Sequence, residues 1–327
     1  MGAGIVIIGT GAFAHVHADA LRRQRRLHLA GFAGNQPLSA AALAQKYAVR
    51  AYRDLDEVLA DADVGGVIVA TPHATHLEIA LAALAAGKSV LVEKPLANSV
   101  AECDALIRAA QAGAGRAMVG HLMGWSPPHI QARRLLEDGA IGEIVAVDSR
   151  RIIDWTFDQR RPWQKSRQAG GGMWMIQGVH VIDQVSYLLG ARAGTAFGVA
   201  ETRFHPEQDA DDLGIAHLRF GPVHARLLVA GTRGLAPQVH TEILGTGGQL
   251  RVSHRGELLL DQGRGWVDRL EPCPDHWQAM IDGEIAGFAA LLDGEPTPVD
   301  FHYGRYVVAG VEAVRRSMRS RREETIS

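Results

Sequence analysis

The sequence has little of several features that mark whole classes of proteins. Only two cysteines, Cys103 and Cys273, occur in 327 residues, which excludes a disulfide framework and a CxxC metal site. No apolar run approaches the roughly 20 residues of a membrane-spanning helix. The 34 basic residues are balanced by 36 acidic ones, whereas a general nucleic-acid binder is normally basic.

The amino terminus also lacks the pattern of a targeting signal. The apolar stretch at residues 3–8 has no basic segment before it, so we predict no secretory signal. A low cysteine count is typical of a reducing compartment. We therefore expect a cytoplasmic protein that binds a small-molecule substrate, with neither nucleic acid nor membrane as a partner.

The length and composition are those of a soluble protein with two domains. A chain of 327 residues exceeds the usual single domain, and 47% hydrophobic with 21% charged residues is typical of globular proteins. The pattern of elements changes near residue 122. We assign residues 1–122 to one domain and 123–327 to another, with the last helix a candidate to pack back on the first domain.

Residues 1–122 alternate short apolar strands with longer helical patterns. Continuously apolar strands that alternate with helices indicate a doubly wound α/β fold, with a parallel sheet covered on both faces. The predicted strands cover residues 5–9, 27–33, 64–70, 89–93 and 117–120, and the predicted helices include 38–47, 75–86 and 100–111.

Residues 123–327 indicate a mixed α+β domain. A helix at 128–137 precedes a strand at 143–153, and a helical pattern at 173–189 follows the glycine triplet at 170–172. Successive strands with glycine-containing turns then predict a large, mainly antiparallel open sheet. These strands cover residues 197–204, 213–220, 224–230, 239–244, 249–253 and 257–260, and two helices at 281–292 and 304–316 close the chain.

The first predicted strand runs directly into a glycine-rich turn and a helix start. The letters fit GxGxx(G/A), in which the first glycine permits the turn and the second lets a pyrophosphate approach the helix N-terminus. A purely structural turn would match the same letters, but the position in a βαβ unit is the context that dinucleotide binding requires. The predicted contacts are Gly9, Gly11, Ala12, Phe13 and Ala14.

The end of the second predicted strand should carry the residue that reads the cofactor ribose. The acidic residue typical of NAD enzymes is missing there, and Gly34 and Asn35 stand in its place. No carboxylate repels a 2′-phosphate, and no arginine binds one. The sequence therefore allows NAD or NADP, with a slight preference for NADP.

Two further segments follow predicted strands, at the sheet edge where doubly wound folds bind ligands. An HxxH pair in the first segment could suggest zinc, but two histidines without further ligands at metal spacing are insufficient. We predict helix capping and cofactor contacts instead, and no metal site. The residues concerned are Thr71, Pro72, His73, His76, Glu93 and Lys94.

Five segments occur together in this chain: GTGAFA at 9–14, ATPHATH at 70–76, AGKSVLVEKPLA at 86–97, GAIGEI at 139–144 and GGGMWMIQGVHVID at 170–183. With them the sequence resembles the glucose–fructose oxidoreductase / inositol dehydrogenase (Gfo/Idh/MocA) family over nearly its whole length. The resemblance implies an NAD(P)-dependent oxidoreductase with an N-terminal Rossmann domain. Its substrate would be a secondary alcohol or ketone of a sugar, cyclitol or related small molecule. A homodimer or homotetramer formed through the open C-terminal sheet is implied as well.

The resemblance also implies roles for two residues. Lys94 matches the family's catalytic lysine, whose ammonium stabilises developing alkoxide charge, and the Lys94–Pro95 peptide is expected to be cis. His180 matches the catalytic histidine that exchanges the proton, although a core histidine would fit the same helix. Many members carry an aspartate four residues before this histidine, where this chain has Ile176. Asp183 could orient the ring or form a structural hydrogen bond.

The predicted substrate contacts carry the least specific signal. Tryptophans and methionines in this part of the chain could line a pocket or simply form core. Five arginines between residues 150 and 167 could bind a carboxylate, but a solvated face or a subunit contact fits most of them. We predict substrate contacts from His121, Trp125, Trp163, Gln177 and Asp183, and a cofactor contact from Gln164.

Two other functions fit the same residues. A dehydrogenase of cyclic dihydrodiols or ring acids in aromatic catabolism is compatible with an aromatic pocket that lacks the usual aspartate. A non-catalytic, dinucleotide-sensing regulator would account for Ile176, but the presence of Lys94 and His180 argues against it.

Overall fold

The computed structural model describes residues 2–327, which divide into two compact units. The first combines the described part of residues 1–122 with Ile281–Arg305, and the second combines Met123–Met280 with Tyr306–Ser327. Residues 281–305 thus lie with the first unit, whereas the sequence offered only the last helix for a return to it. Within this segment the Phe288 ring packs close to the sheet, since a Cβ atom on Gly66 would lie 3.4 Å from the tip of that ring.

The first unit contains a six-stranded sheet in which every pair of neighbours is parallel. Its strands are β1 (Ala3–Ile8), β2 (Leu27–Ala33), β3 (Arg50–Ala51), β4 (Val64–Val69), β5 (Ser89–Glu93) and β6 (Ala117–Gly120). Its helices before residue 122 are α1 (Ala12–Arg23), α2 (Pro37–Tyr47), α3 (Leu55–Ala60), α4 (His76–Ala85) and α5 (Val100–Ala112).

The strand order β3-β2-β1-β4-β5-β6 is that of a dinucleotide-binding fold. It reverses between β1 and β4, so the carboxyl ends of these two strands border the crevice where such folds bind ligands. Strands β1, β4 and β5 are almost wholly buried, since helices cover both faces. The predicted doubly wound sheet is confirmed.

The second unit contains a nine-stranded sheet in the order β14-β13-β12-β11-β7-β10-β9-β8-β15. Only the β7–β10 pair is parallel, so the predicted mainly antiparallel sheet is also confirmed. Its strands are β7 (Ile144–Asp154), β8 (Thr195–Glu201), β9 (Leu213–Phe220), β10 (Val223–Thr232), β11 (Gln238–Gly245), β12 (Gln249–Ser253), β13 (Glu257–Asp261), β14 (Val267–Asp268) and β15 (Glu324–Thr325). The remaining helices are α6 (Pro127–Glu137), α7 (Val179–Leu189), α8 (His276–Leu292) and α9 (Phe301–Ser320).

The two faces of the second sheet differ in burial. Alternate residues of β8, β9 and β10 are buried on the inner face, while their neighbours point outwards and stay partly exposed. Trp174 lies in this core, with its side chain fully buried and its indole N–H donating to the carbonyl of Val311 at 3.2 Å. Across residues 2–327, no helix has the length and hydropathy of a membrane span.

Two boundaries differ from the sequence prediction for physical reasons. Strand β8 ends at Glu201 rather than 204, because the buried Asp212 carboxylate accepts the backbone N–H groups of residues 203, 204 and 205. The helical pattern predicted over residues 173–189 is interrupted: Trp174–Gly178 forms a π-helical turn and α7 begins only at Val179. π-Helical turns of this kind often occur at functional sites.

Candidate active site

The glycine turn between β1 and α1 has the shape that a pyrophosphate needs. Gly9 has φ of +124°, and a Cβ atom there would lie 2.3 Å from the carbonyl oxygen of Ala70. Gly11 is the N-cap of α1, and within the described residues no side chain caps its first turn. The backbone N–H groups of Ala12 and Phe13 therefore begin a helix that a dinucleotide could cap, and buried Ala14 packs beneath them.

The position that reads the ribose lies beside this turn. A Cβ on Gly34 would contact the Thr10 side chain at 3.4 Å, and Asn35 is exposed. Gly34 thus offers neither a carboxylate for a ribose hydroxyl nor a cation for a 2′-phosphate. The residues around the turn fit a dinucleotide. Neither Gly34 nor Asn35 carries a charge that would select NAD over NADP or the reverse.

The HxxH pair braces the loop after β4. The Nδ1 atom of His76 lies 2.9 Å from the carbonyl oxygen of Pro95, and its Nε2 atom lies 3.0 Å from that of Thr71. Thr75 also donates to the carbonyl oxygen of Pro72 at 2.9 Å. Burial lowers the pKa of His76, which favours the neutral ring. A neutral ring can donate to only one of these two carbonyls, and through these contacts His76 lies between the loops that follow β4 and β5.

Lys94 follows β5 at the same edge of the sheet. Its peptide bond to Pro95 is cis, as the resemblance implied. The backbone N–H of Lys94 donates to Oε2 of Glu93 at 3.2 Å, and the side chain of Lys94 is partly buried. The geometry of this loop is therefore linked to the carboxylate of Glu93.

Glu93 belongs to a buried cluster that the sequence analysis missed. His17 on α1 donates from Nε2 to Oε1 of Glu93 at 2.8 Å, and its Nδ1 lies 3.8 Å from Oε2 of Glu284 on α8. All three residues are buried. Neither oxygen of Glu284 has a hydrogen-bond partner among residues 2–327. Three segments far apart in sequence thus meet directly behind Lys94, a contact that no local pattern could have indicated.

The ionisation of this cluster follows from its burial. Burial raises the pKa of Glu284 to about 8, against the opposing effect of His17. Burial alone would lower the pKa of His17, but the hydrogen bond to Glu93 and the two carboxylates raise it. Burial would raise the pKa of Glu93, and His17 and Lys94 lower it instead. At neutral pH Glu284 is therefore protonated, and the pKa shifts of His17 and Glu93 both favour the charged forms of these two residues.

The same cluster is the one group of potential metal ligands within the described chain. Its three ligand atoms lie within 4.8 Å of one another. However, the hydrogen bond between His17 and Glu93 already occupies one ring nitrogen and one carboxylate oxygen. The protonation of Glu284 accounts for the proximity of the two carboxylates, because two buried like charges cannot both ionise cheaply.

Asp211 fixes the π-helical turn in the second unit. Its buried carboxylate accepts the N–H of Trp174 at 2.6 Å and an Arg315 guanidinium N–H at 3.2 Å. Gly172 has φ of +101°, and a Cβ there would lie 2.7 Å from the same carboxylate. Asp211 and the glycine triplet therefore set the register of Ile176, Gln177 and His180. No local pattern in the sequence indicated this role for Asp211.

The glycine triplet also contacts the predicted Trp163–Gln164 segment. The N–H of Gly171 donates to the carbonyl oxygen of Ser166, and that of Gly172 to the carbonyl oxygen of Gln164. Gln164 in turn accepts the N–H of Arg161 through its side chain at 2.9 Å. The structure thus brings this predicted contact segment against the turn that precedes His180.

His180 and Asp183 are both buried near the start of α7. The charge of Asp183 acts on the buried His129 of α6, whose pKa burial lowers to about 4. Gln177 lies in the π-helical turn and accepts from Nε of Arg151 at 2.6 Å. Whether Asp183 orients the His180 ring or forms a structural hydrogen bond stays a prediction.

The other predicted substrate residues fall on both sides of the boundary between units. His121 belongs to the first unit, where its buried ring contacts Tyr303 edge-on at 5.6 Å. Trp125 belongs to the second unit, in a short 3₁₀ turn. Whether they contact substrate stays a prediction.

Two family models match this chain: an oxidoreductase family with an NAD-binding Rossmann fold over residues 3–121, and the GFO/IDH/MocA C-terminal domain over residues 129–251. The chain belongs to this family. The resemblance inferred from the five sequence segments is confirmed, and with it the assignment to NAD-binding oxidoreductases.

Individual relatives differ in what they act on. The chain is 29% identical, over 79% of its length and 72% of the relative's, to the 2,7-anhydro-N-acetylneuraminate hydratase of Mediterraneibacter gnavus. It is 29% identical, over 58% of its length and 48% of the relative's, to the 1-carboxy-3-chloro-3,4-dihydroxycyclohexa-1,5-diene dehydrogenase of Comamonas testosteroni. A crystal structure of GenD2 from gentamicin A biosynthesis in complex with NAD matches with a TM-score of 0.88 and 25% identity, covering 100% of this chain and 97% of that one.

Replacing Glu284 by glutamine should flatten the pH dependence of stability. The pKa of Glu284 is about 8 in the folded chain and ordinarily 4.5, so between these values only the folded state keeps this proton. Stability contributed by Glu284 therefore falls as pH rises through that window, by at most about 1.4 kcal/mol per pH unit. Urea unfolding of the wild type and Glu284→Gln at pH 5, 6, 7 and 8 measures the difference.

The exposed Glu271→Gln variant is the control and should follow the wild type at every pH. Parallel curves for the wild type and Glu284→Gln would contradict a proton held by Glu284.

Proposed function

We propose that this protein is an NAD(P)-dependent oxidoreductase that interconverts a secondary alcohol and a ketone on a sugar, cyclitol or related small molecule. The observation that carries the proposal is Lys94, which directly follows β5 at the sheet edge that also holds the Gly9 turn. A cation at that edge suits a substrate oxygen whose negative charge grows during reaction. A cytoplasmic location is proposed on the sequence argument alone.

Lys94 is proposed to hydrogen-bond the reacting oxygen. When bound, the nicotinamide cofactor accepts or supplies the hydride. The ammonium of Lys94 stabilises the alkoxide character that develops as the C–H bond is broken or formed. The buried His17–Glu93 pair supports this role, since Glu93 holds the backbone of Lys94 through its N–H.

His180 is proposed to exchange the hydroxyl proton. Its place after the π-helical turn and near the amino end of α7 is set by Asp211 and Gly172. Ile176 is buried and apolar, so it cannot orient the imidazole as the aspartate of many relatives would. Proton exchange in this protein therefore depends on His180 without a carboxylate at that position.

A second candidate substrate class is the cyclic dihydrodiol or ring acid. It is favoured by the likeness to the dihydroxycyclohexadiene dehydrogenase of Comamonas testosteroni, and by the replacement of the polar aspartate by Ile176. A regulator that binds the dinucleotide without turnover is the remaining alternative, and the experiments below separate it.

A homodimer or homotetramer formed through the open sheet face is also proposed. Phe197, Ile215 and Leu244 lie on that face and are 48%, 43% and 51% exposed. Strand pairing puts Phe197 opposite His217, and Ile215 opposite the outward-facing Val199. Exposed apolar side chains on a broad sheet are typical of a surface that associates.

Titration with NAD⁺ and NADP⁺ should raise the melting temperature with one of them, and the sequence slightly favours NADP⁺. A ligand at 100 times its Kd stabilises the native state by about 2.7 kcal/mol, which is readily measured by thermal shift. A Gly9→Val variant, whose side chain would collide with the Ala70 carbonyl, should lose the shift. The absence of a shift with either nucleotide, oxidised or reduced, would contradict the dinucleotide site.

Replacing Lys94 by methionine should lower kcat by about a hundredfold or more while leaving the cofactor Kd nearly unchanged. Steady-state kinetics with a polyol, sugar-acid and dihydrodiol panel supplies kcat, and the thermal shift supplies cofactor affinity. The exposed Lys46→Met variant is the matched control. Turnover near the wild-type level in Lys94→Met would sink the catalytic assignment, and cofactor binding without turnover of any panel member would favour the sensing alternative.

Placing a charge on the open sheet face should separate the subunits. Phe197→Asp combined with Ile215→Asp is expected to reduce the mass measured by light scattering from a dimer or tetramer to a single chain, because a buried unpaired carboxylate disfavours association. Leu38→Asp, at an 88% exposed site on α2, should keep the wild-type mass. A wild-type protein that is monomeric at micromolar concentration would refute the proposed assembly.

A further inference from the structure

Arg151 is unusual among the five arginines between residues 150 and 167. It lies on β7, opposite Val239 of β11, and donates from Nε to the Gln177 side chain in the π-helical turn at 2.6 Å. Its Nη1 atom is inaccessible to solvent and meets no hydrogen-bond acceptor among residues 2–327, although the residue as a whole is only partly buried. A charged group with a shielded, unsatisfied donor therefore faces the inner side of the second sheet.

The other arginines of the segment have partners of their own. Arg150 pairs with Asp148 at 2.9 Å. Arg160 lies over the Trp155 ring at 4.1 Å, donates to Gln208 and feels the charges of Asp212 and Glu207. Arg161 and Arg167 are exposed. Arg160 also has shielded guanidinium nitrogens, but the carboxylates of Asp212 and Glu207 act on its charge. In this segment only Arg151 combines a shielded, unsatisfied guanidinium nitrogen with the absence of such a carboxylate.

The surroundings of Arg151 are basic. Burial and the Arg255 guanidinium lower the pKa of Arg151 to about 10, with no carboxylate among the causes. Burial, Arg151, His129 and Arg255 together lower the pKa of His254 to about 3, so the ring is neutral. The charge of Asp183 acts on the neighbouring His129. Among residues 2–327, therefore, no carboxylate pairs with this guanidinium.

A desolvated cation without a counter-charge is costly, and a ligand that brings one repays that cost on binding. A guanidinium has five N–H donors in a planar fork whose geometry matches the two oxygens of a carboxylate. Gln177 uses only the Nε donor, which leaves the Nη side for a ligand. A single arginine beside neutral Gln177 and His254 matches the single charge of a carboxylate better than the double charge of a phosphate monoester.

We propose that Arg151 binds a carboxylate of the substrate, so that the substrate is a hydroxylated acid and not a neutral sugar or cyclitol. This inference rests on the proposed function and specifies its substrate class. Gln177 orients the guanidinium, and because it lies three residues before His180 it links the acid-binding group to the turn that carries the proposed proton exchanger.

The test compares acids with neutral molecules of the same shape. The probes are shikimate against methyl shikimate, and D-glucuronate against D-glucose and D-glucose 6-phosphate. Binding of each to the full-length protein saturated with the cofactor identified by thermal shift is measured by calorimetry. We expect at least one acid to bind about ten- to a hundredfold more tightly than its neutral counterpart, which is the range of a charge-assisted hydrogen-bonded contact.

Three variants assign the preference to Arg151. Arg151→Gln should abolish the difference between acid and neutral partner, and Arg151→Lys should keep part of it, since the charge remains without the fork. Arg161→Gln, at an exposed arginine of the same segment, should keep all of it. An acid preference that survives in Arg151→Gln, or a tighter binding of the phosphate than of the carboxylates, would overturn the inference.

Stability separates a binding role from a structural one. Because Arg151 lacks a counter-charge, Arg151→Met should melt at or above the wild-type temperature, whereas a structural arginine would melt lower on replacement. A wild-type protein that binds its cofactor but discriminates in none of the pairs overturns this inference and leaves the oxidoreductase proposal standing. Failure to bind any nicotinamide dinucleotide would instead refute the proposed function.

Discussion

The buried hydrogen bond between His17 and Glu93 is the interaction on which the first unit depends. It joins the helix that begins at the glycine turn to the strand that ends before Lys94, so one contact sets the spacing of two ligand-facing segments. Breaking a buried ion pair by removing one partner typically costs about 3–5 kcal/mol. Two motifs that are far apart in the sequence are thus joined by one contact. Glu284 of α8 adds a third segment to it, since its carboxylate lies close to the His17 ring.

In the second unit, Asp211 positions the turn that precedes His180. Its carboxylate holds the first N–H of the π-helical turn, and the glycine beside it leaves room for that contact. The wide turn changes which residues share a face with His180 compared with a regular α-helix. In a regular α-helix, Ile176 and His180 would share a face because they are four residues apart. In the π-helical turn this spacing no longer defines a shared face. The position of Gln177 therefore depends on Gly172 and Asp211 as well as on the helix that follows.

Local patterns predicted the features that local physics determines. The glycine turn, the apolar strand at 89–93 and the doubly wound order all follow from short-range periodicity and turn chemistry. The short elements β3 and α3 and the end of β8 were missed because a few residues, or one distant carboxylate, decide them. The cluster around Glu284 and the isolation of Arg151 could not be predicted, since five arginines look alike until their neighbours in space are known.

The first unit is discontinuous along the chain, which affects how it can be made. Val119 of β6 donates to the carbonyl oxygen of Val299, and Phe288 packs on Gly66, so the sheet needs a segment that is synthesised near the end. A ribosome releases the dinucleotide-binding strands first, yet they cannot bury their last partners until Ile281–Arg305 has emerged, after most of the second unit. The first unit therefore begins to be synthesised before the second but is completed only after residues 123–280 of the second. The second unit is discontinuous as well, because residues 306–327 return to it, so each unit is completed by a segment that follows most of the other.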